Sequence, residues 1–445
     1  MVMKTTFKIG GNDMDKVVYG LFALFVSVSL ICIALYIPRI WCWLFAFSHQ
    51  KKLYNEKKNR LAIIVPAKNE SASITPLFDS LARQTYERDC FDVYVVVDDP
   101  NDPTVGMTAQ RGHIPVVVTG QTKKGDALDG CLQKILHEDA SKYDAYIVID
   151  ADTVLDDAYL AEMNNAMVTG AEIIVSKKRV KNYFFGDKST QTLSACCNGI
   201  IWTLMDNMGN LYKSKKGYPC FIVGTGFLMC ADLVRKNGGW PYQSTLTEDV
   251  ELMMDTVLSG YRTLYYEHAI VYMEEATELR VTNKRRQRWM TGVVDSDRLY
   301  MPRITDKQRK GATKQQRMQR YHAGSLNMVY CLIGTALIYA AASAVIGLGL
   351  LLLGNPVGWQ ALLGVPVGIG AIYLYFLVPT LFAVLSDWKV IGLPFYKKIV
   401  LILAHPVFYM GYIPVMRRAL FSKKGRNTWE AIDRADFSEK ERNGL

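Results

Sequence analysis

The sequence has no internal repeat and no low-complexity segment, which excludes a solenoid or a linker-dominated architecture. Its nine cysteines are scattered without metal-ligand spacing, and Cys196 and Cys197 are adjacent. That argues against a structural zinc site and for reduced thiols acting as small hydrophobes. The formal charge of +10 is not accompanied by a stripe of stacking aromatics, so no nucleic-acid partner is expected. Much of the basic excess sits beside apolar runs, where it sets membrane topology and attracts anionic lipid.

Those apolar runs are long. Val17 to Ile37 carries no charge over about 21 residues, enough for a helix to cross a hydrocarbon core of about 30 Å. Its charged flank is too long for a signal peptide and no Ala-x-Ala-like site follows, so an uncleaved anchor is expected. Met328 to Leu353 and Ala361 to Leu385, separated by Gly354-Asn355-Pro356, are also long enough to span. A fourth run, Ile399 to Met416, is flanked by Lys397, Lys398, Arg417 and Arg418 and interrupted by Pro406 and Pro414. Both of its ends favour the cytoplasm, which fits a re-entrant or interfacial segment better than a span. The same rule places the stretch from Gln50 to His322 inside, because HQKK (49–52) and KQRKGATKQQRMQR (307–320) bound it, and leaves the N-terminus outside. The expected organisation is an anchor over 1–50, a cytoplasmic domain over 51–305, and membrane or interfacial helices with a basic tail over 306–445, the whole integral to a plasma (inner) membrane.

The middle of the chain alternates short apolar runs with helical stretches. Leu61 to Val65, Val93 to Val97, Pro115 to Val118, Ala145 to Ile149 and Glu172 to Val175 lack a polar face, the pattern of parallel strands covered on both sides. Ser73 to Gln84 and Asp126 to Leu136 suit crossover helices, and a doubly wound, Rossmann-like α/β sheet follows. In such sheets ligands gather at the carboxyl ends of the strands. The first strand runs into Pro66-Ala67-Lys68-Asn69-Glu70, the second into Asp98-Asp99, and the fourth into Asp150-Ala151-Asp152. One acidic strand end is an ordinary helix cap. Three on one edge need a cation or a donor-rich ligand, and Mg²⁺ or Mn²⁺ with a substrate diphosphate fits that need. TKKGDALDG (122–130) offers a lysine and free backbone N–H groups to a phosphate, although a Lys-Gly surface turn is an equally simple reading. Thr247-Glu248-Asp249 reads as a capping box or as an acid held at a helix N-terminus, and the two are compatible.

The motifs VPAKNE, VVVDD, KKGDALDG, IDADT, GTGF, TEDVEL and RRQRWMTG, in that order from Val65 to Gly292, resemble family 2 glycosyltransferases. These are inverting, nucleotide-sugar-dependent enzymes of the GT-A fold. The flanking apolar runs are similar to the membrane branch that makes cellulose, chitin, hyaluronan and poly-N-acetylglucosamine. The resemblance implies that Pro66, Asn69 and Glu70 line the nucleoside loop, that Asp98 or Asp99 faces uracil or ribose, and that Lys124 approaches the diphosphate. It further implies that Asp152, with Asp150, holds the metal, with Asp150 also facing ribose. Asp249 would be the catalytic base beside Glu248, and Gly224, Thr225 and Gly226 would lie near the acceptor sugar. Arg285, Arg288 and Trp289 would serve the diphosphate and the acceptor ring. Processive members carry Gln-x-x-Arg-Trp, and here Arg285 stands at the glutamine position. The implied activity is elongation, and export, of an extracellular or capsular polysaccharide from a UDP-sugar. The alternative is transfer of one sugar to a lipid acceptor. Accessory export subunits are compatible with either. The tail from Ser422 to Arg434 is similar to a basic segment of poly-N-acetylglucosamine-type synthases, or is a solvated tail.

Overall fold

A computed structural model describes residues 11–184, 186, 189–309, 317 and 326–421. The tail from Ser422 to Arg434 and most of the basic stretch ending at Arg320 lie outside the described residues. The described residues divide into two compact units, one within Met1–Trp41 and Gly324–Pro379, the other within Cys42–Ala323 and Thr380–Leu445.

Among the described residues the larger unit is built on eight strands: β1 (Leu61–Pro66), β2 (Phe91–Val97), β3 (Ile114–Val117), β4 (Ala145–Val148), β5 (Val154–Leu155), β6 (Ile173–Val180), β7 (Phe227–Cys230) and β8 (Thr263–Met273). They form one sheet in the order β3-β2-β1-β4-β7-β6-β8-β5. The five strands expected from unbroken apolar runs are all present and mutually parallel. β7 is inserted antiparallel between β4 and β6, and β8 runs parallel to β6. β7 was not expected because its four residues follow a glycine turn directly, and β8 because polar residues such as Glu267 and His268 break its run. Side chains from the two faces of the sheet feed two separate cores: Ala62, Ile64, Tyr146 and Val148 on one side, Leu61, Ile63, Val65 and Ile147 on the other. This double burial is why the runs read as apolar throughout.

Before the smaller unit's α1 (Gly11–Ile40) is considered, the helices of the larger one fall in chain order as α2 (Thr75–Ala82), α3 (Pro103–Gln110), α4 (Lys124–Asp139), α5 (Tyr159–Ala166), α6 (Lys181–Phe184), α7 (Leu193–Thr203), α8 (Leu211–Lys216), α9 (Ala231–Asn237), α10 (Glu248–Ser259) and the long α11 (Leu279–Arg309). The crossover helices α2 and α4 lie where the sequence places them. In the smaller unit α1 packs with α12 (Leu326–Leu352) and α13 (Val357–Leu362), and α14 (Gly364–Ser386) follows. Small residues set the spacing there. A Cβ at Gly347 would sit 2.7 Å from the Leu362 side chain, and one at Gly368 2.7 Å from the Ala336 carbonyl oxygen, close approaches typical of membrane helices. Leu24, Ile31, Val345 and Leu348 remain exposed, as a lipid-facing surface requires.

Among the described residues, four stretches are long and apolar enough to cross a membrane: Asp13–Leu35, Cys331–Leu352, Val357–Ser386 and Phe395–Phe421. The fourth is two helices, α15 (Phe395–Met410) and α16 (Tyr412–Phe421), which belong to the larger unit and pack there against α7 and α11. Arg286 of α11 makes that contact. Its guanidinium is fully buried, 4.0 Å from the Phe408 ring centroid and 4.1 Å from that of Tyr412, and it donates to the Phe408 carbonyl oxygen at 3.3 Å and to Asn198 Oδ1 at 3.4 Å. Just past α14, Asp387 accepts hydrogen bonds from Thr203 Oγ1 (3.0 Å) and Asn207 Nδ2 (2.9 Å). These contacts tie both segments to α7 and the residues that follow it.

Arg286→Ala removes a buried cation–π sandwich and opens a cavity, so it should destabilise the larger unit by about 3 kcal/mol. Hydrogen exchange should then accelerate over 395–421 well before it does in the sheet, and equal protection in both proteins would contradict the assignment.

Candidate active site

The pairing of Pro66 with Val96 and of Ile64 with Val148 brings the carboxyl ends of β1, β2 and β4 level on one edge. The loops that leave this edge carry the polar residues. After β1, Asn69 takes φ +59°, a left-handed conformation that asparagine tolerates, and its N–H donates to Asp102 Oδ2 at 3.2 Å. Lys68 Nζ lies 2.6 Å from Asp98 Oδ2, and Asp98 Oδ1 accepts the Gln121 N–H at 3.0 Å. The lysine beside it holds the Asp98 carboxyl below its ordinary range. Asp98 thus ties the loops after β1 and β3, while exposed Asp99 turns the chain by accepting from Asn101 N at 2.8 Å. Glu70 accepts from Ser73 Oγ.

The centre of the edge is Lys124. It is the first residue of α4, and Gly125 behind it lets the helix start press on the loop before α10: a Cβ there would lie 2.8 Å from the Tyr242 carbonyl oxygen. The surface-turn reading of Lys-Gly is therefore set aside. Lys124 Nζ lies 2.6 Å from Asp150 Oδ1 and 3.6 Å from Glu248 Oε1, and it donates to the Gly224 carbonyl oxygen. Burial works against the ammonium, but Asp150 and Glu248 outweigh it and keep Lys124 above the usual lysine value. Gly224 opens the GTG turn that leads into β7. A Cβ on it would stand 3.3 Å from Lys124 Nζ and 3.8 Å from both Asp150 Oδ2 and Asp249 Oδ2, so the backbone touches all three charged groups. Thr225 Oγ1 accepts the Asp150 N–H at 2.9 Å, and Gly226, at φ +73°, donates its N–H to the Val148 carbonyl oxygen. These bonds lock the start of the DAD turn to the GTG turn.

Glu248 and Asp249 open α10. Thr247 occupies the cap position, but its hydroxyl makes no capping bond and faces Ser296 Oγ at 3.4 Å, so the capping-box reading is not realised. Asp249 Oδ1 accepts the Val250 N–H at 2.8 Å. Burial raises both carboxyls, Glu248 to about 7, against the opposing pull of Lys124. The first half of α11 supplies the remaining groups. Arg285 Nη2 is 4.0 Å from Asp152 Oδ2 and Arg285 Nη1 is 3.8 Å from Glu275 Oε2. Burial lowers Arg288, with Glu248, Asp150 and Asp249 near enough to oppose the shift, and its Nε has no hydrogen-bond partner among the described residues. Trp289 meets Trp202 edge to face at 6.1 Å, and the Trp202 indole N–H donates to Glu275 Oε1 at 2.5 Å. Sequence reasoning passed over Glu275 and Trp202, whose only local signal was a buried acidic pair, Glu274-Glu275, at the end of β8.

Around Lys124, Arg285 and Arg288 this edge therefore gathers five carboxylates, Asp150, Asp152, Glu248, Asp249 and Glu275, and a tryptophan pair. The family described as glycosyltransferase like family 2 matches residues 59–292, which hold the whole sheet and this site, and the chain belongs to that family. Its larger unit has the GT-A fold, and its apolar helices are long enough to cross a membrane. An uncharacterized glycosyltransferase of Escherichia coli, YaiP, is 27% identical over 255 residues, 55% of this chain and 60% of that protein, so the chain spans about 60% of its relative's length. The mannosyltransferase PcManGT of Pyrobaculum calidifontis, solved with GDP-Man and Mn²⁺, is similar in fold at TM-score 0.52 and 16% identity, covering 92% of this chain and all of the other. TarS 1–349 of S. aureus, solved with UDP-GlcNAc, is a more distant likeness at TM-score 0.41 and 14% identity, over 84% of this chain and all of that one.

A carboxyl whose folded pKa lies above its unfolded value binds its proton more tightly when folded. Glu248 consequently weakens the fold as pH rises from about 4.5 and does so fully above about 7. Thermal unfolding should show Glu248→Gln more stable than the parent near pH 8 and nearly equal to it near pH 5. A difference that does not depend on pH would refute this.

Proposed function

We propose that this chain is an inverting transferase that takes a sugar from a UDP-sugar, extends a polysaccharide at the membrane, and exports it with its own apolar helices. The observation that carries the reading is the convergence of Lys124, Asp150, Glu248 and Asp249 on the Gly224 backbone. In the same reading the organisation is an anchor, a cytoplasmic catalytic domain and C-terminal membrane helices in a plasma membrane. The basic residues Lys51 and Lys52 at one boundary support that orientation.

Asp249 is assigned as the general base. Its carboxyl is held above the ordinary aspartate value by burial and is fixed by the Val250 N–H, which suits it to take the proton of an acceptor hydroxyl. Lys124 and Arg288 present positive charge to the diphosphate leaving group, and the loop of Pro66, Asn69 and Glu70 with Asp98 and Asp99 borders the nucleoside. Trp289, edge to face with Trp202, offers an aromatic surface for the acceptor ring. Asp150 and Asp152 lie on one turn, and no group of three or more His, Cys, Asp or Glu side chains suited to a metal occurs among the described residues. Two carboxylates without a closed cage fit a hard cation that takes its other ligands from a diphosphate and water. When bound there, Mg²⁺ or Mn²⁺ would neutralise charge developing on the leaving group. Attack from the opposite face in one displacement inverts the anomeric centre and needs no protein nucleophile.

A lipid acceptor is the second reading, and Arg285 at the position where processive enzymes carry glutamine favours it. Detergent-solubilised enzyme supplied with Mn²⁺ or Mg²⁺ and a panel of UDP-sugars, with GDP-mannose added because the archaeal neighbour was solved with it, separates the two. A glycosidase-sensitive product of high mass supports the polymerase, whereas a single-sugar product in the organic phase supports the lipid acceptor. Asp249→Asn should lower turnover by roughly 10²- to 10⁴-fold and leave nucleotide affinity intact. Parental turnover in that variant would overturn the assigned base.

A further inference from the structure

Arg285 is a single cation between two carboxylates. Its guanidinium reaches Asp152 Oδ2 at 4.0 Å on one side and Glu275 Oε2 at 3.8 Å on the other, and Nη1 donates to the Glu274 carbonyl oxygen at 3.2 Å. The site is dry: the side chains of Arg285, Asp152 and Glu275 are 15%, 13% and 1% exposed. Charges in such surroundings are felt far more strongly than at the surface. Glu275 cannot move to follow Arg285, because its other oxygen is held by the Trp202 indole and Trp202 is packed on Trp289.

We propose that Arg285 is a positioning residue that competes with the divalent cation for Asp152, making metal binding conditional on the nucleoside diphosphate. The inference rests on the assignment of Asp152 to the metal. A dication on Asp152 would face the Arg285 guanidinium at short range, with Arg288 as a second positive neighbour of Arg285. Metal alone is repelled. Metal arriving with a diphosphate brings the negative charge that offsets both arginines, and Arg285 then rests on Glu275, which is already within ion-pair reach. A glutamine at 285, as in the processive pattern, carries no charge and imposes no such condition. The arginine would therefore keep the site from loading metal unproductively and order the binding so that metal and donor enter together.

Full-length protein in detergent is titrated with Mn²⁺, the free ion being followed by electron paramagnetic resonance, first alone and then with saturating UDP or GDP. In the parent, nucleotide should tighten Mn²⁺ binding strongly. In Arg285→Gln, binding of Mn²⁺ alone should tighten by roughly tenfold, the effect expected of removing one nearby charge, and the nucleotide-dependent gain should shrink by the same factor. Arg285→Met removes the same charge and should agree, and it serves as the test if the glutamine variant does not fold. Arg285→Lys keeps the charge and should behave as the parent, which a purely structural role for the guanidinium would not predict. Neutral variants that bind Mn²⁺ alone no better than the parent, while binding it normally with nucleotide, would overturn the competition and leave the metal assignment standing. A parent that binds no Mn²⁺ with either nucleotide would overturn both.

Discussion

Everything at the catalytic edge is arranged around one buried ammonium. Lys124 is surrounded by Asp150, Glu248, Asp249 and the Gly224 carbonyl oxygen. Without that charge three carboxylates would face one another in a poorly solvated space, and at least one would have to take up a proton. With it, Glu248 and Asp249 are raised by burial but held in check by the ammonium. The constraint explains the glycines too. Gly125 lets the helix that carries Lys124 start against its neighbouring loop, and Gly224 brings the backbone to the ammonium where a side chain would crowd it. In the proposed reaction the leaving group needs positive charge and the acceptor a base, and one ion cluster offers groups of both kinds.

A second organising element is α11. Within one turn it sends Arg285 and Arg288 toward the acids and Arg286 toward the interfacial helices, because successive residues on a helix point about 100° apart. One turn further on, Gly292 meets Thr247 so closely that no side chain fits between them, which brings the helix against the start of α10. The same helix therefore sets the distance of the arginines from Asp152 and Asp249 and clamps α15 and α16. The two cationic roles differ in chemistry. Arg285 is held by carboxylates, whereas Arg286 is held by aromatic faces and neutral oxygens.

The sequence carried the apolar spans, the five parallel strands and the acidic strand ends in plain form, because each is a local signal. Double burial of β1, β2, β4 and β6 leaves an unbroken apolar run, and carboxylates at the ends of adjacent parallel strands must share an edge. The family resemblance added the meaning of those residues in order, from Pro66 to Trp289. Tertiary structure decided what no local pattern encodes. β7 is four residues long and owes its antiparallel place to β4 and β6, and Glu267 and His268 of β8 fall at the register shift of its pairing with β6, where both bond to Gln50. The partners of the charged groups were equally hidden. Lys68 meets Asp98 across 30 residues, Lys124 meets Asp150 across 26, and Arg285 meets Asp152 across 133. Ion pairing depends on distance in space and on how much water is excluded, and both are set only when the sheet, the GTG turn and α11 have closed around the same edge.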